Sequence, residues 1–220
     1  MHILGNTSTE YFNSVEVWSR WHVGKRIQLF AFVPFNHFRQ VEMGAAVKAS
    51  GIGDITLAGY YTLYNDAANK DKIFKQTLQA GGGVKLPTGK FIASSGSQQL
   101  NPSINTGSGS VDFLVNTLYS CRYKRLGVSA EANVRLNSEN NDYFQYGHRF
   151  TGSARVFYWK DLGKKISILP NAGLMVETAA KDAHYQQKQQ FSGGRITSFI
   201  SGIDVYMGKW NWSTSYHLPL

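Results

Sequence analysis

Residues 128–137 alternate without a fault. Val128, Ala130, Ala132, Val134 and Leu136 fall on one side of an extended chain, and Ser129, Glu131, Asn133, Arg135 and Asn137 on the other. Successive side chains of a strand point to opposite faces, so this period of two requires a β-strand with one apolar and one polar face. The pattern returns along the chain. Val15, Val17, Trp21 and Val23 oppose Glu16, Arg20 and His22. Val111, Phe113, Val115, Tyr119 and Cys121 oppose Asp112, Asn116, Ser120 and Arg122. Strands are predicted at 15–23, 27–36, 54–64, 74–86, 111–123, 128–137, 149–159, 166–177, 195–207 and 210–217, with little room left for helix. The composition fits an all-β chain: 22 Gly, 13 Phe and 12 Tyr against only 5 Pro.

Alternation alone fits a water-soluble sandwich, with polar residues outward, or a membrane barrel, with polar residues inward. The connections decide between them. Those at 24–26, 124–127, 160–165 and 208–209 are short, and the one at 65–72 is intermediate. Those at 37–53, 87–109, 138–148 and 178–194 are long and polar. Long and short alternate in order, as in an up-and-down barrel with tight turns at one rim and long loops at the other. A Greek-key sandwich has no reason to sort its loops by parity. No apolar run reaches the roughly 18 residues of a spanning helix, which leaves a spanning strand of about 9–11 residues open. The expected fold is an up-and-down antiparallel transmembrane β-barrel in a bacterial outer membrane.

On that reading Trp21, Tyr123, Tyr158, Trp159, Trp210 and Trp212, all beside short turns, form an interfacial aromatic girdle. Glu16, Arg20, Asp112, Arg122, Glu131, Arg135, Arg149, Arg155, Glu177 and Asp204 point into the lumen. Unpaired charges in a narrow interior are costly, so Arg135 and Arg155 are each expected beside Glu131, Glu177 or Asp112. Phe30, Phe32, Leu114 and Leu118 share the inward face and make the interior partly apolar. Pro34 and Pro170 fall inside strands, where a missing N–H calls for a rim or a bulge. The inward charges either form a network that plugs the barrel or line a polar route for small solutes.

Other chemistry finds little support. The single cysteine, Cys121, allows no intrachain disulfide and no Cys-based metal site. The histidines are scattered, without metal-ligand spacing. Ser213, Ser215 and His217 share a face, but it is the inward one, away from lipid. The glycines at 81–83 precede no helix and form no phosphate loop. The formal charge of +9 comes in short clusters such as Lys124-Arg125, with no nucleic-acid-binding motif beside them. No cofactor, metal, catalytic group or nucleic-acid partner is expected. The expected partners are outer-membrane lipid and a small-molecule solute of unknown identity. The alternatives are a closed barrel serving a membrane complex as a structural or partner-binding subunit and, third, an outer-membrane enzyme.

Three motifs carry a resemblance. Gly51-Ile52-Gly53-Asp54-Ile55-Thr56-Leu57, then Gly81-Gly82-Gly83-Val84-Lys85-Leu86-Pro87-Thr88-Gly89, then Gly107-Ser108-Gly109-Ser110-Val111-Asp112-Phe113 occur in that order. In these, and across about 15–210, the chain resembles the outer-membrane transporter-type barrels of Gram-negative bacteria filed with a phenol-degradation pathway. The resemblance implies location and fold more than substrate. It also implies a signal peptide, a further strand before the matched region and a final strand ending in an aromatic residue. The sequence shows none of these, so residues 1–220 are expected to be a single barrel domain truncated at both ends. About ten strands would then be present of about twelve in the full protein.

Overall fold

The computed structural model describes residues 9–220 except 43, 44, 67, 68, 70, 93, 96, 97, 100–103, 164 and 209. The strands are β1 (Thr9–Val23), β2 (Ile27–Glu42), β3 (Ala45–Ile52), β4 (Thr56–Asn65), β5 (Phe74–Lys85), β6 (Ser94–Ser95), β7 (Gln98–Gln99), β8 (Asp112–Tyr123) and β9 (Leu126–Leu136). They continue as β10 (Phe144–Gln145), β11 (Arg149–Tyr158), β12 (Lys160–Asp161), β13 (Ile166–Ala179), β14 (Ala183–His184), β15 (Gln187–Lys188), β16 (Gly194–Met207) and β17 (Trp210–Pro219). Ten long strands pair antiparallel with their chain neighbours in the order β1-β2-β4-β5-β8-β9-β11-β13-β16-β17. β3 extends the sheet beside β2, and β12 beside β13. The sheet is the curled wall of an up-and-down barrel, with β1 and β17 at its edges. Among the described residues no ladder joins these two strands.

Burial across this wall is the reverse of a water-soluble protein's. On β8, Phe113 and Val115 are exposed while their neighbours Asp112 and Asn116 are buried, at 0% and 3% accessibility. On β9, Val128 and Leu136 are exposed. Val115 lies opposite Gly82 on β5 and Val134 on β9, in the middle of a continuous apolar outer face. Among the described residues the buried polar side chains outnumber the buried apolar ones. An exposed apolar belt of this size has lipid as its natural solvent, because water would leave it unfavourably hydrated.

The two strand prolines sit where the ladder changes partner. β2 pairs β4 as far as Phe32 and pairs β3 from Phe35. Pro34 falls in the gap, and its carbonyl accepts the Gly53 N–H at 2.8 Å. β13 pairs β11 from Asn171 onward and pairs β12 at Ile168 and Ser167. Pro170 again lies in the gap. A residue without an N–H is best tolerated where no ladder bond is required of it.

Several boundaries differ from the sequence expectation: β1 starts at Thr9, six residues before the expected 15, and β9 at Leu126 instead of 128. The stretch 37–53, read as a loop, contains the end of β2 and all of β3, which form a hairpin pairing Phe35 with Ile52 through Glu42 with Ala45. The strand read as 149–159 stops at Tyr158. Trp159 leaves the pairing with β13, beside the interruption at Pro170, while its N–H still donates to the Arg125 carbonyl at 2.6 Å.

Candidate functional site

The three motifs that follow one another in sequence meet in space. Lys85 ends β5, Asp112 begins β8, and the two stand directly opposite in the ladder. Lys85 Nζ lies 2.5 Å from Asp112 Oδ2 and 3.1 Å from Asp54 Oδ2. It also donates to Ser108 Oγ at 2.5 Å. One ammonium thus faces two buried carboxylates. The surplus negative charge is spread over donors: Asp54 accepts the N–H groups of Gly89 (3.0 Å) and Ser108 (2.7 Å), together with the Ser108 hydroxyl (2.7 Å). Asp112 Oδ1 accepts the Ser110 hydroxyl (2.9 Å) and the Ser138 N–H (3.0 Å). Buried charge is tolerable only with this density of partners.

The network pins residues 86–92 and 104–111, the two described ends of the long connection, inward. Gly89 and Gly107 pack backbone to backbone: a Cβ on Gly89 would stand 2.7 Å from Gly107 Cα, so no larger residue fits there. Asn36 Nδ2 donates to the Thr106 carbonyl at 3.0 Å, and Asn140 Nδ2 to the Ser108 carbonyl at 2.9 Å. Phe91 packs on Phe144 and Tyr146 with ring centroids 5.8 and 6.3 Å away. The loops of the long-loop rim therefore hold one another.

Beneath them a cavity of about 510 Å³ opens between the walls. Glu16 from β1, Arg135 from β9, Arg149 from β11 and Lys85 from β5 line it. So do Asp54, Tyr146 and Asp182 from the connections. Asp182 Oδ1 accepts the Gly147 N–H at 2.7 Å. Burial, followed by the nearby Asp182 charge, pushes the Tyr146 phenol above its ordinary range, so it keeps its proton. Asp54, Lys85, Tyr146 and Asp182 were not among the expected site residues. Asp54 and Lys85 stood in the motifs that carry the resemblance. Tyr146 and Asp182 lie in irregular connections, where no periodicity marks a face.

The expected lumen residues fall into three groups. Glu16, Arg135 and Arg149 line the cavity, Asp112 lies in the network beside it, and Glu177 approaches Arg149 at 3.6 Å. Glu131 and Arg155 lie mid-strand, facing Ser153 and Ser129 respectively across the β9 and β11 ladder. Arg20, Arg122 and Asp204 lie toward the short turns. Asp204 accepts Asn171 Nδ2 at 3.1 Å and a second bond from Ser213. Arg135 faces the water-accessible cavity, with Asp112 and Glu177 at longer range. Among the described residues no carboxylate stands within ion-pair distance of Arg135 or Arg155. Register explains it: Arg135 faces Leu114 and Arg149, and Arg155 faces Ser129 and Gly173, so neither has an acid across the ladder.

The aromatics also divide. Trp21, Tyr123, Tyr158, Trp210 and Trp212 are exposed. Trp159 is not with them. It stacks on Tyr206 with centroids 5.7 Å apart, the Arg122 guanidinium lies 4.5 Å over its ring, and its Nε1 donates to Asp161 at 2.8 Å. Adjacent strand residues face opposite ways, so Tyr158 and Trp159 cannot both meet lipid. A second aromatic group lies inside: Phe30 contacts Trp18, Phe32 and Tyr60, at 6.3, 5.8 and 5.3 Å. The Tyr60 ring lies over Gly81, where a Cβ would come within 2.9 Å of it. The glycine run thus gives a ring room to lie flat on the wall.

The sequence model of the family described as "Putative MetA-pathway of phenol degradation" matches residues 5–218. No curated protein matches. Among solved structures, the chain is similar to an outer membrane channel from Pseudomonas putida F1, with a TM-score of 0.72 and 15% identity. The match covers 97% of this chain and 77% of that one. At this identity the likeness shows the fold, an outer-membrane β-barrel. The apolar belt marks the outer face of this wall as the one that meets lipid.

Proposed function

This chain belongs to the family described as "Putative MetA-pathway of phenol degradation", and we propose that it is an outer-membrane channel giving small solutes a narrow, gated route, without catalysis. The observation that carries this reading is the charged cavity of about 510 Å³ inside the wall, at the end where the long loops fold inward. A structural barrel has no need of a solvent-accessible space lined by Glu16, Arg135 and Arg149. The narrowing is attributed to two devices. Residues 86–92 and 104–111, tied to Lys85, crowd the long-loop end. The stack of Arg122, Trp159 and Tyr206 narrows the short-turn end. Bare strand edges do not persist in lipid, so the proposal includes closure of the wall between β1 and β17 by further strands.

Reconstitution in planar bilayers tests it. Discrete conductance steps support the channel. A correctly inserted protein that stays silent over a wide voltage range overturns it in favour of a closed, structural or partner-binding barrel.

A further inference from the structure

Arg135 and Arg149 stand directly opposite each other on β9 and β11. Like charges at such positions repel, with Cβ atoms only about 4.5–5.5 Å apart, and usually cost stability. Here both guanidiniums line the same cavity. Arg149 is shared with Glu177 at 3.6 Å, and Arg135 has no acid within ion-pair distance among the described residues. A half-buried guanidinium whose acids, Glu16 among them, all lie beyond ion-pair distance leaves its donors to water or an anion. Two planar forks side by side match the two oxygens of a carboxylate.

The rest of the cavity narrows the choice. Phe12 and Phe38 also line it, edge to face with centroids 5.2 Å apart, and give an apolar surface. The acids facing the cavity are Glu16, Asp54 and Asp182. Asp54 is committed to Lys85, and Asp182 accepts a backbone N–H. Glu16 has no ion pair among the described residues, and its charge opposes a second anionic group. The volume lies within the roughly 300–1,000 Å³ of small-molecule sites.

We propose that Arg135 and Arg149 form a subsite for the carboxylate of a small monocarboxylate whose apolar body rests on Phe12 and Phe38. The inference rests on reading the interior as a solute route. Calorimetry on the detergent-purified full chain tests it with three probes: benzoate, neutral benzyl alcohol and doubly charged phthalate. Benzoate is expected to bind most tightly. The R135Q/R149Q variant, checked for folding by its heat-dependent gel mobility, is expected to lose about tenfold or more in benzoate affinity, the scale of a charge-assisted bond. If that variant does not fold, R149Q alone carries the test, with a smaller loss in the same direction. E16Q is expected to narrow the gap between benzoate and phthalate. Equal binding of benzoate and benzyl alcohol, benzoate affinity unchanged in the arginine variants, or no effect of E16Q overturns the proposal. Bilayer recordings on the same samples separate the two readings. Conductance without arginine-dependent binding removes the subsite and keeps the channel. Arginine-dependent binding without conductance does the opposite.

Discussion

Removing the Lys85 ammonium would leave the Asp54 and Asp112 carboxylates buried against each other. Breaking a buried pair on one side typically costs about 3–5 kcal/mol, because a charge is left uncompensated. Lys85→Met is therefore expected to destabilise by about that amount, read from urea unfolding in lipid vesicles. The triple change D54N/K85M/D112N removes all three charges and is expected to cost less than Lys85→Met alone. A triple variant worse than the single one would show that the network stabilises by attraction rather than by mutual compensation. At this scale the sequence was only partly legible. Asp112 sat on a clean alternating strand and could be assigned inward. Lys85 shared that signal, but its counter-ions come from segments 31 and 27 residues away, and strand periodicity carries no information about which strand lies alongside.

Among the elements, the described part of the β4–β5 connection is organised by one carboxylate. Asp66 Oδ1 accepts the Gln76 N–H, and Oδ2 accepts Tyr64 Oη at 2.9 Å and Lys72 Nζ at 3.0 Å. These bonds, the Gln76 N–H first, hold its pKa down from the ordinary 3.8 to about 2. A depressed acid contributes its order fully above its unfolded pKa and loses it as pH falls through the folded one. Protection of the Gln76 amide against hydrogen exchange is therefore expected to be constant above pH 3.8 and to collapse toward pH 2. In Asp66→Asn the protection should be weak throughout and lose this pH step. At the same rim, Trp159→Ala is expected to raise single-channel conductance by removing the stack on Tyr206, whereas Trp210→Ala, on the outside, should leave it unchanged. Equal conductances in the two variants would deny Trp159 a part in the constriction. The alternating apolar residues made the ten wall strands readable. The hairpin of β2 and β3 was not, because Ala45, Ala46, Ala49, Ser50 and Gly51 offer little apolar contrast between faces. Closeness to a turn suggests the girdle for Trp159, but its parity against Tyr158 turns the ring inward.

For the whole molecule, the decisive property is which solvent the outer face meets. Length parity of the connections pointed to a barrel from sequence alone, since only an up-and-down wall sorts its loops to alternate rims. The inversion of burial gives that topology its energetic meaning: a continuous belt of apolar residues, Val115 at 54% accessibility among them, is unfavourable on a wet surface and natural on a lipid-facing one. Substituting an exposed valine by arginine on a water-soluble sheet changes stability by no more than about 0.5 kcal/mol in most cases. On a lipid-facing barrel strand near the bilayer midplane the same change costs about 2–4 kcal/mol, falling toward zero near the interfaces. Val115→Arg, mid-strand between Gly82 and Val134, is therefore expected to show the large value in reversible urea unfolding from vesicles. Val128→Arg, two residues from the start of β9 at the short-turn rim, should show a small one. The depth dependence is the informative part. A uniform cost at both positions would point to packing against protein, and a uniform absence of cost to water, whereas a gradient from Val115 to Val128 is the signature of a bilayer around this wall.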